Sequence, residues 1–395
     1  MNIFFLIIPW SLFLGIAGQT FALYLCTTIF LLSQPREKGK NWMPIGLSCI
    51  GIWGIFPILS TFNQLTSPTE GVIFQDMIRS HIPSSLLIFG FLICSIPRLP
   101  FHHKSPPLSS HKLLISSALS LSVILLIALF QHFTGWDYRL PQGLGSGNLI
   151  NDGYYRIRLF HGHPLSLASV CLTWLTFLLF IPGEKTHQTL KIHSIICTGI
   201  ILILTGGRSA LLIAFCFLLF AAFSNKKIIY GSFLLIISFF ILKFLGLLDR
   251  FFHFSWSSPR FRLWEVHWNI FLSRPWSGVG YHAIAKLRPE YSAEIFYDSP
   301  AYITYNAHQL YLETLSEIGF LGFSFILFCS WIIVQSSYRI LPLPPFRKLI
   351  GSLIGVNLLH GLTQNTYFDA SVMAATLSCI ILSLKISTEK NNVDF

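Results

Sequence analysis

Residues 192–224 read IHSIICTGIILILTGGRSALLIAFCFLLFAAFS, and this stretch decides the kind of molecule. Two apolar runs, at 192–206 and 209–224, flank Thr205-Gly206-Gly207-Arg208-Ser209. Neither run holds an Asp, Glu, Lys or Arg. A membrane-crossing helix takes about 20 predominantly apolar residues, so these read as two short spans joined by a turn that carries a single Arg.

The rest of the chain repeats the pattern. Its 395 residues are 53% hydrophobic and 11% charged, with a mean hydropathy of +0.63. Soluble domains carry about 25% charged residues. That deficit, with 37 Phe and 10 Trp, excludes a water-soluble enzyme. It also excludes a disordered chain or a coiled coil, both of which need charge. The first apolar stretch, 2–33, is too long for one span and is weakened by Pro9, Gly15 and Gly18, so it predicts a hairpin of two helices. No Lys or Arg precedes Arg36, so no positive n-region marks a cleavable signal. Further spans are predicted near 42–61, 81–97, 112–133, 163–182, 227–248, 309–335, 347–364 and 368–386. About twelve spans use about 240 residues and leave room for loops but not for a separate soluble domain. The expected architecture is an all-α polytopic membrane protein: one integral membrane domain over 1–395, with a single large loop at 249–308 containing short amphipathic helices.

Loop charge sets the orientation. Alternate connections carry Arg36/Lys38/Lys40, Arg98/Lys104/Lys112, Lys185/Lys191, Lys226/Lys227, Arg339/Arg347/Lys348 and Lys385/Lys390. They are short and basic, which puts them and both termini in the cytoplasm. Eleven of the thirteen Lys lie on that side, whereas ten of the fourteen Arg lie on the other. Lys on one face obeys the topology rule; Arg on the other needs a separate reason. Arg suits bidentate contact with phosphate, so the outer surface suggests an anionic ligand. The net charge of +11 does not point to nucleic acid, because the bases are dispersed among loops rather than gathered on a patch. The eight Cys fall in or beside apolar runs and no CxxC occurs, which argues against disulfides and a zinc cluster.

Four groups share the outer face. Tyr154 to Pro164 contains Arg156, Arg158, His161 and His163; Gly206 to Ser209 contains Arg208; Pro259 to Trp264 contains Arg260 and Arg262; Asn306 to Gln309 contains His308. The two Gly beside Arg208 permit a tight reversal and close approach of a ligand. Thr205 or Ser209 can cap the next helix, whose free N–H groups favour an anion. Arg208 reads equally as a ligand for a lipid diphosphate or as an interfacial Arg among headgroups. From Pro259 to Arg274, Phe261, Trp264, Trp268 and Phe271 recur at helical spacing, with Arg262, Glu265 and Asn269 on another face; this predicts an amphipathic helix on the membrane. Arg260 and Arg262 can bind a ligand, bind headgroups or pair with Glu265. His308, in the first turn of a helix that Asn306 could cap, stays neutral and can accept a proton, or it bonds a loop carbonyl. The HxH of His161 and His163 has no obvious third ligand, so both read as structural His and no metal or cofactor is predicted. No Walker loop, GxSxG or HExxH occurs, and the outer face has no ATP, so any transfer there uses an already activated donor.

Gly-Gly-Arg-Ser-Ala-Leu-Leu (206–212), Arg-Leu-Trp (262–264), Pro-Trp-Ser-Gly-Val-Gly (275–280) and His-Gln-Leu-Tyr-Leu-Glu-Thr-Leu-Ser-Glu-Ile-Gly-Phe-Leu-Gly (308–322) follow in that order. With Leu359-His360-Gly361-Leu362 and Phe368-Asp369, this resembles the O-antigen ligase and polymerase superfamily of bacterial inner-membrane glycosyltransferases, over about residues 140–386. The family usually has Asn after the motif His; here Gln309 keeps the amide. The resemblance implies a GT-C-like fold and a glycan on undecaprenyl diphosphate as donor at the periplasmic face. A ligase passes that glycan to a sugar hydroxyl of the lipid A core, and a polymerase passes it to another repeat unit. Carried over by motif, Arg208 and Arg262 hold the diphosphate, with Arg158 and Arg260 as further contacts. His308 orients or deprotonates the acceptor hydroxyl, and the reaction inverts the anomeric carbon without a metal. The chain's length and single late loop look like the ligase branch. A transporter for an anion or lipid is the alternative of another class, but almost no ionisable group lies at mid-span.

Overall fold

The computed structural model describes residues 2–13, 15–32, 43–52, 55, 110–137, 148–150, 154–182, 187–223, 259–280, 307–340, 344–364, 366 and 369–391. Helix accounts for 83% of them, so the all-α class holds. After a 3-10 turn at Asn2–Ile7 come α1 (Ile8–Ser11), α2 (Gly15–Leu32), α3 (Met43–Ile52) and α4 (Ser110–Thr134). A short hairpin of β1 (Asn148–Ile150) and β2 (Tyr154–Arg156) leads to α5 (Pro164–Phe180), α6 (Gln188–Leu204) and α7 (Arg208–Phe223). Then follow α8 (Pro259–Ser273), α9 (Leu310–Ile340), α10 (Pro344–His360) and α11 (Ala370–Asn391).

A helix that is apolar all round belongs in an interior, and α5 takes that place. Leu167 to Leu178 are buried without a break, and Trp174 stacks on Phe177 at 4.8 Å. Around it pack α6, α7, α10 and α11, with α4 against α6 and α2 against α11. The outer helices show the reverse. Leu119, Val123, Leu126, Phe130 and Phe133 of α4 are exposed, as are Phe325, Phe328 and Trp331 of α9. Apolar faces of that extent suit lipid rather than water. Among the described residues two helices, Ser110–Thr134 and Leu310–Arg339, are long and apolar enough to cross a membrane.

The predicted helices around Arg208 and over 259–274 form where expected. Residues 81–97 and 227–248 lie outside the described residues, as does most of the large loop. The first stretch differs: its arms are unequal. The turn and α1 cover only residues 2–11, while α2 runs for 18 residues. The break at Leu12 exposes a carbonyl that the Gln19 amide and the His161 ring both engage. The β-hairpin was not predicted; its two strands pair over three residues each. Six of the seven described Cys are buried and none of the seven is in a disulfide, as expected of small core residues. Lys191 caps α5, donating to Leu179 O at 3.2 Å and Ile181 O at 2.9 Å.

The long α9 is broken at Gly319 (φ 67, ψ −173). A break orphans carbonyls before it and N–H groups after it, and the segment following α8 satisfies both. Val279 N donates to Ser316 O at 3.0 Å and Gly280 N to Glu317 O at 2.8 Å. In return Phe320 N donates to Pro275 O at 2.8 Å and Leu321 N to Trp276 O at 3.1 Å. The 21 residues of α9 after the break measure about 32 Å, enough to cross the hydrocarbon core unaided.

Candidate functional site

The turn at 205–209 is tied from three sides. Thr205 Oγ1 donates to Leu202 O at 2.6 Å and accepts from Gly207 N at 3.2 Å. Gly206 has φ +65, and Arg156 crosses it to donate from Nε to Thr205 O at 2.9 Å. Ile157 N donates to Leu204 O at 3.2 Å. A Cβ on Gly207 would lie 2.8 Å from the Ala168 methyl, so glycine lets α5 approach the turn. Arg208 opens α7 and is exposed.

The preceding segment is held by α4. Gln131 Oε1 accepts from Arg158 N at 2.9 Å and Leu159 N at 2.8 Å, which fixes Leu159 at φ 48. Arg158 pairs with the fully buried Asp137, so part of its fork is committed inside the protein. The HxH diverges. His161 is buried and donates from Nε2 to Leu12 O at 3.1 Å, whereas His163 is exposed and caps α5, Nδ1 accepting from Leu165 N at 3.1 Å. Among the described residues no group of three or more His, Cys, Asp or Glu could hold a metal ion.

His308 does not sit in the first helical turn. It lies just before α9 in the left-handed region, φ 51, and is half-buried. Asn306 falls outside the described residues; the side-chain cap is Gln309, whose Oε1 accepts from Leu312 N at 2.9 Å. Glu313 Oε2 accepts from Ala307 N at 3.2 Å, two residues before the cap. Trp264 Nε1 donates to Ala307 O at 3.0 Å, and Leu310 N donates to Gly361 O at 2.8 Å. His308 is thus clamped between α8 and the end of α10.

The aromatic stripe of α8, expected to lie on the membrane, is half-buried to exposed, and a different face packs against protein. Leu263, Val266, His267 and Ile270 are buried against α9, with His267 Nδ1 2.9 Å from Ser316 Oγ, while Trp268 is exposed. Arg260 is exposed and Arg262 half-buried on the first turn.

These pieces meet at one end of the bundle. His360, at the end of α10, lies 3.1 Å from Ser169 Oγ of α5 and 3.4 Å from Ser209 Oγ beside Arg208. The adjoining Gly361 carbonyl holds the start of α9. His163 draws in the rest: Arg156, His308, Arg158 and Arg260 all act on its ring. Asp369 caps α11 through Ser371 N at 3.0 Å and Val372 N at 3.3 Å. Its carboxylate also accepts from the Ser166 hydroxyl. Arg208, Arg262, Arg158, Arg260 and His308 therefore lie at the same end of the protein. Arg156 and His360 had no assigned role in the sequence reading, because their partners Thr205, Ser169 and Ser209 are fixed only by tertiary contact.

Residues 193–327 match a family model described as O-antigen ligase. The match covers about a third of the chain and takes in the Arg208 turn, α8 and His308; over those residues the chain is similar to the O-antigen ligase/polymerase superfamily. That is a membrane-protein family of the bacterial inner membrane. No curated protein matches the chain.

Proposed function

We propose that the protein is an O-antigen ligase: it moves a glycan from undecaprenyl diphosphate to a sugar hydroxyl of the lipid A core at the periplasmic face of the inner membrane. The observation that carries this reading is the convergence of Arg208, Arg262, Arg260 and His308, from three separate segments, on one end of the bundle. In this reading about twelve spans place both termini in the cytoplasm, and the large loop at 249–308 is periplasmic.

The acceptor hydroxyl oxygen attacks the anomeric carbon from the face opposite the diphosphate. The carbon–oxygen bond to the diphosphate breaks, its electron pair leaves with the phosphate, and the hydroxyl proton passes to His308. The sugar inverts. Charge builds on the departing diphosphate, and preorganised donors aimed at developing charge supply most of the stabilisation in such a site. Guanidinium forks at Arg208 and Arg262 fill that role without a metal. Arg158 contributes less, with part of its fork already on Asp137.

The test is transfer by purified protein, given a lipid-diphosphate glycan and lipid A core, with and without chelator. His308→Ala is expected to lose at least about 100-fold in rate, the scale of general-base catalysis, at normal protein levels. Arg208→Lys is expected to fail as well, since a point charge does not reproduce the fork. Normal transfer by Arg208→Lys removes the diphosphate role. Uptake or flipping of an anion that survives His308→Ala replaces the transferase with a transporter. Gene deletion separates the branches: bare core marks the ligase, and core bearing one repeat unit marks the polymerase.

A further inference from the structure

We propose that His360 is a positioning residue of this site: its ring holds the Arg208 turn in register with the helix that begins beside His308. This deepens the transferase reading above and rests on it. His360 is the last residue of α10 and is buried. Its ring lies between hydroxyls of two other helices, Ser169 of α5 at 3.1 Å from Nδ1 and Ser209 of α7 at 3.4 Å from Nε2. The Ser169 hydroxyl donates its hydrogen to Leu165 O at 2.9 Å. Toward the ring it is therefore an acceptor, which puts the ring proton on Nδ1. Nε2 of the neutral ring is then an acceptor in turn, and the Ser209 hydroxyl donates to it. Helix α5 thus fixes the tautomer, and the tautomer fixes how the ring holds the residue next to Arg208.

The backbone on either side of the ring holds the other half of the site. Leu310 N donates to Gly361 O at 2.8 Å, and the Tyr311 hydroxyl donates to Leu358 O at 2.6 Å. A Cβ on Gly361 would lie 2.9 Å from Leu310 Cδ2, so glycine lets the end of α10 and the start of α9 approach closely. The first residues of α9, just after His308, are therefore tied to the residues that flank His360. Side chain and backbone of one short segment, 358–361, reach both halves: the ring reaches Ser209 beside Arg208, and the carbonyls reach the helix beside His308. Arg208 and His308 come from different helices and have to keep their separation, because a displacement of about 1 Å from the productive geometry can cost about 100-fold in rate. Gly207 already sits against Ala168 of α5; the Ser209 bond adds a directional link from the head of α7 to the end of α10.

Amide side chains separate the two edges of the ring. The Asn amide reaches the position of Nδ1 and the Gln amide that of Nε2, so His360→Asn keeps the Ser169 contact and His360→Gln keeps the Ser209 contact. These two, Ser209→Ala, and Ser209→Ala combined with His360→Asn are compared in detergent by thermal unfolding, by transfer kinetics, and by binding of geranylgeranyl diphosphate with geranylgeraniol as control. His360→Asn and Ser209→Ala are each expected to lose about tenfold in kcat and in diphosphate affinity, a partial misplacement. The combined variant should lose no more than either alone, since both changes remove one link. His360→Gln should stay within about threefold of wild type, less than one net hydrogen bond, although it gives up the Ser169 bond. Geranylgeraniol binding should not move. Wild-type kcat and diphosphate affinity in His360→Asn overturn the proposal. So does a loss that follows unfolding temperature across the variants, or losses that add in the combined one, because either leaves His360 a packing residue only. If the ring variants fail to accumulate, Ser209→Ala decides: a tenfold loss at wild-type unfolding temperature supports the link, and wild-type transfer overturns it. If wild-type protein transfers no glycan yet binds the diphosphate in a His360-dependent way, the transferase reading fails while the placement of Arg208 by His360 stands.

Discussion

Two glycine-dependent sites serve the chemistry in different ways. At the 205–209 turn, Gly206 is covered by a side chain: a Cβ there would meet Arg156 Nε at 3.1 Å. At the break in α9, Gly319 and Gly278 are pressed backbone on backbone. A Cβ on Gly319 would lie 2.4 Å from the Trp276 carbonyl, and one on Gly278 would lie 2.3 Å from the Glu317 carbonyl carbon. The first site can yield because a long side chain can swing aside. The second cannot, because four main-chain hydrogen bonds hold both partners. The longest motif strings of the sequence, 275–280 and 308–322, thus owe part of their pattern to a mechanical clasp. That clasp holds α8, with Arg260 and Arg262, against the helix that begins beside His308.

Gly319→Ala should therefore produce the largest effect. Its backbone conformation is essentially reserved for glycine and costs about 1–3 kcal/mol in other residues. The overpacked contact adds about 1–3 kcal/mol more. The expected result is protein that fails to accumulate in the membrane, or that unfolds far below wild type in detergent. A stable, active Gly319→Ala would break the contrast between the two sites at once.

The turn's own support is tested next. Asp137 is fully buried and Arg158 keeps 20% of its side-chain surface. Removing one partner of a buried pair leaves an uncompensated charge and costs about 3–5 kcal/mol. Arg158→Ala should lose stability toward the low end of that range. Arg158→Ala with Asp137→Asn should recover most of it, since no buried charge is left. Recovery of stability without recovery of transfer would show that Arg158 also touches the donor.

The sequence announced the helices, because apolar runs of this length have few other solutions. It also placed Arg208, Arg260, Arg262 and His308 on one face through loop parity alone. Three features were out of reach for physical reasons. The break at Gly319 falls inside the single span predicted at 309–335, and the docked 275–280 segment satisfies the backbone groups it frees. The Gln309 cap was hidden because Asn306 is the better capping residue by type, whereas side-chain reach and the left-handed turn at His308 decide the matter. Phe261, Trp264, Trp268 and Phe271 have the right period for α8, but period alone does not say whether a stripe faces protein or bilayer. The buried side proved to be the smaller Leu263, Val266 and Ile270, which let α8 lie close on α9.

Gly206→Ala should give the smallest of these effects, and its size sharpens the comparison. A left-handed residue with a Cβ costs about 1–2 kcal/mol, and the φ of +65 requires that cost. The 3.1 Å contact adds little if Arg156 swings away, but swinging away gives up its bond to Thr205 O. Stability should then fall by about 1–2 kcal/mol, read by thermal unfolding in detergent, with transfer reduced severalfold rather than abolished. Gly206→Asn should be milder, because Asn tolerates this backbone region better than Ala. Were Gly206→Ala as damaging as Gly319→Ala, the turn would be locked by its backbone too, and Arg156 would be a rigid wall of the site rather than a strap across it.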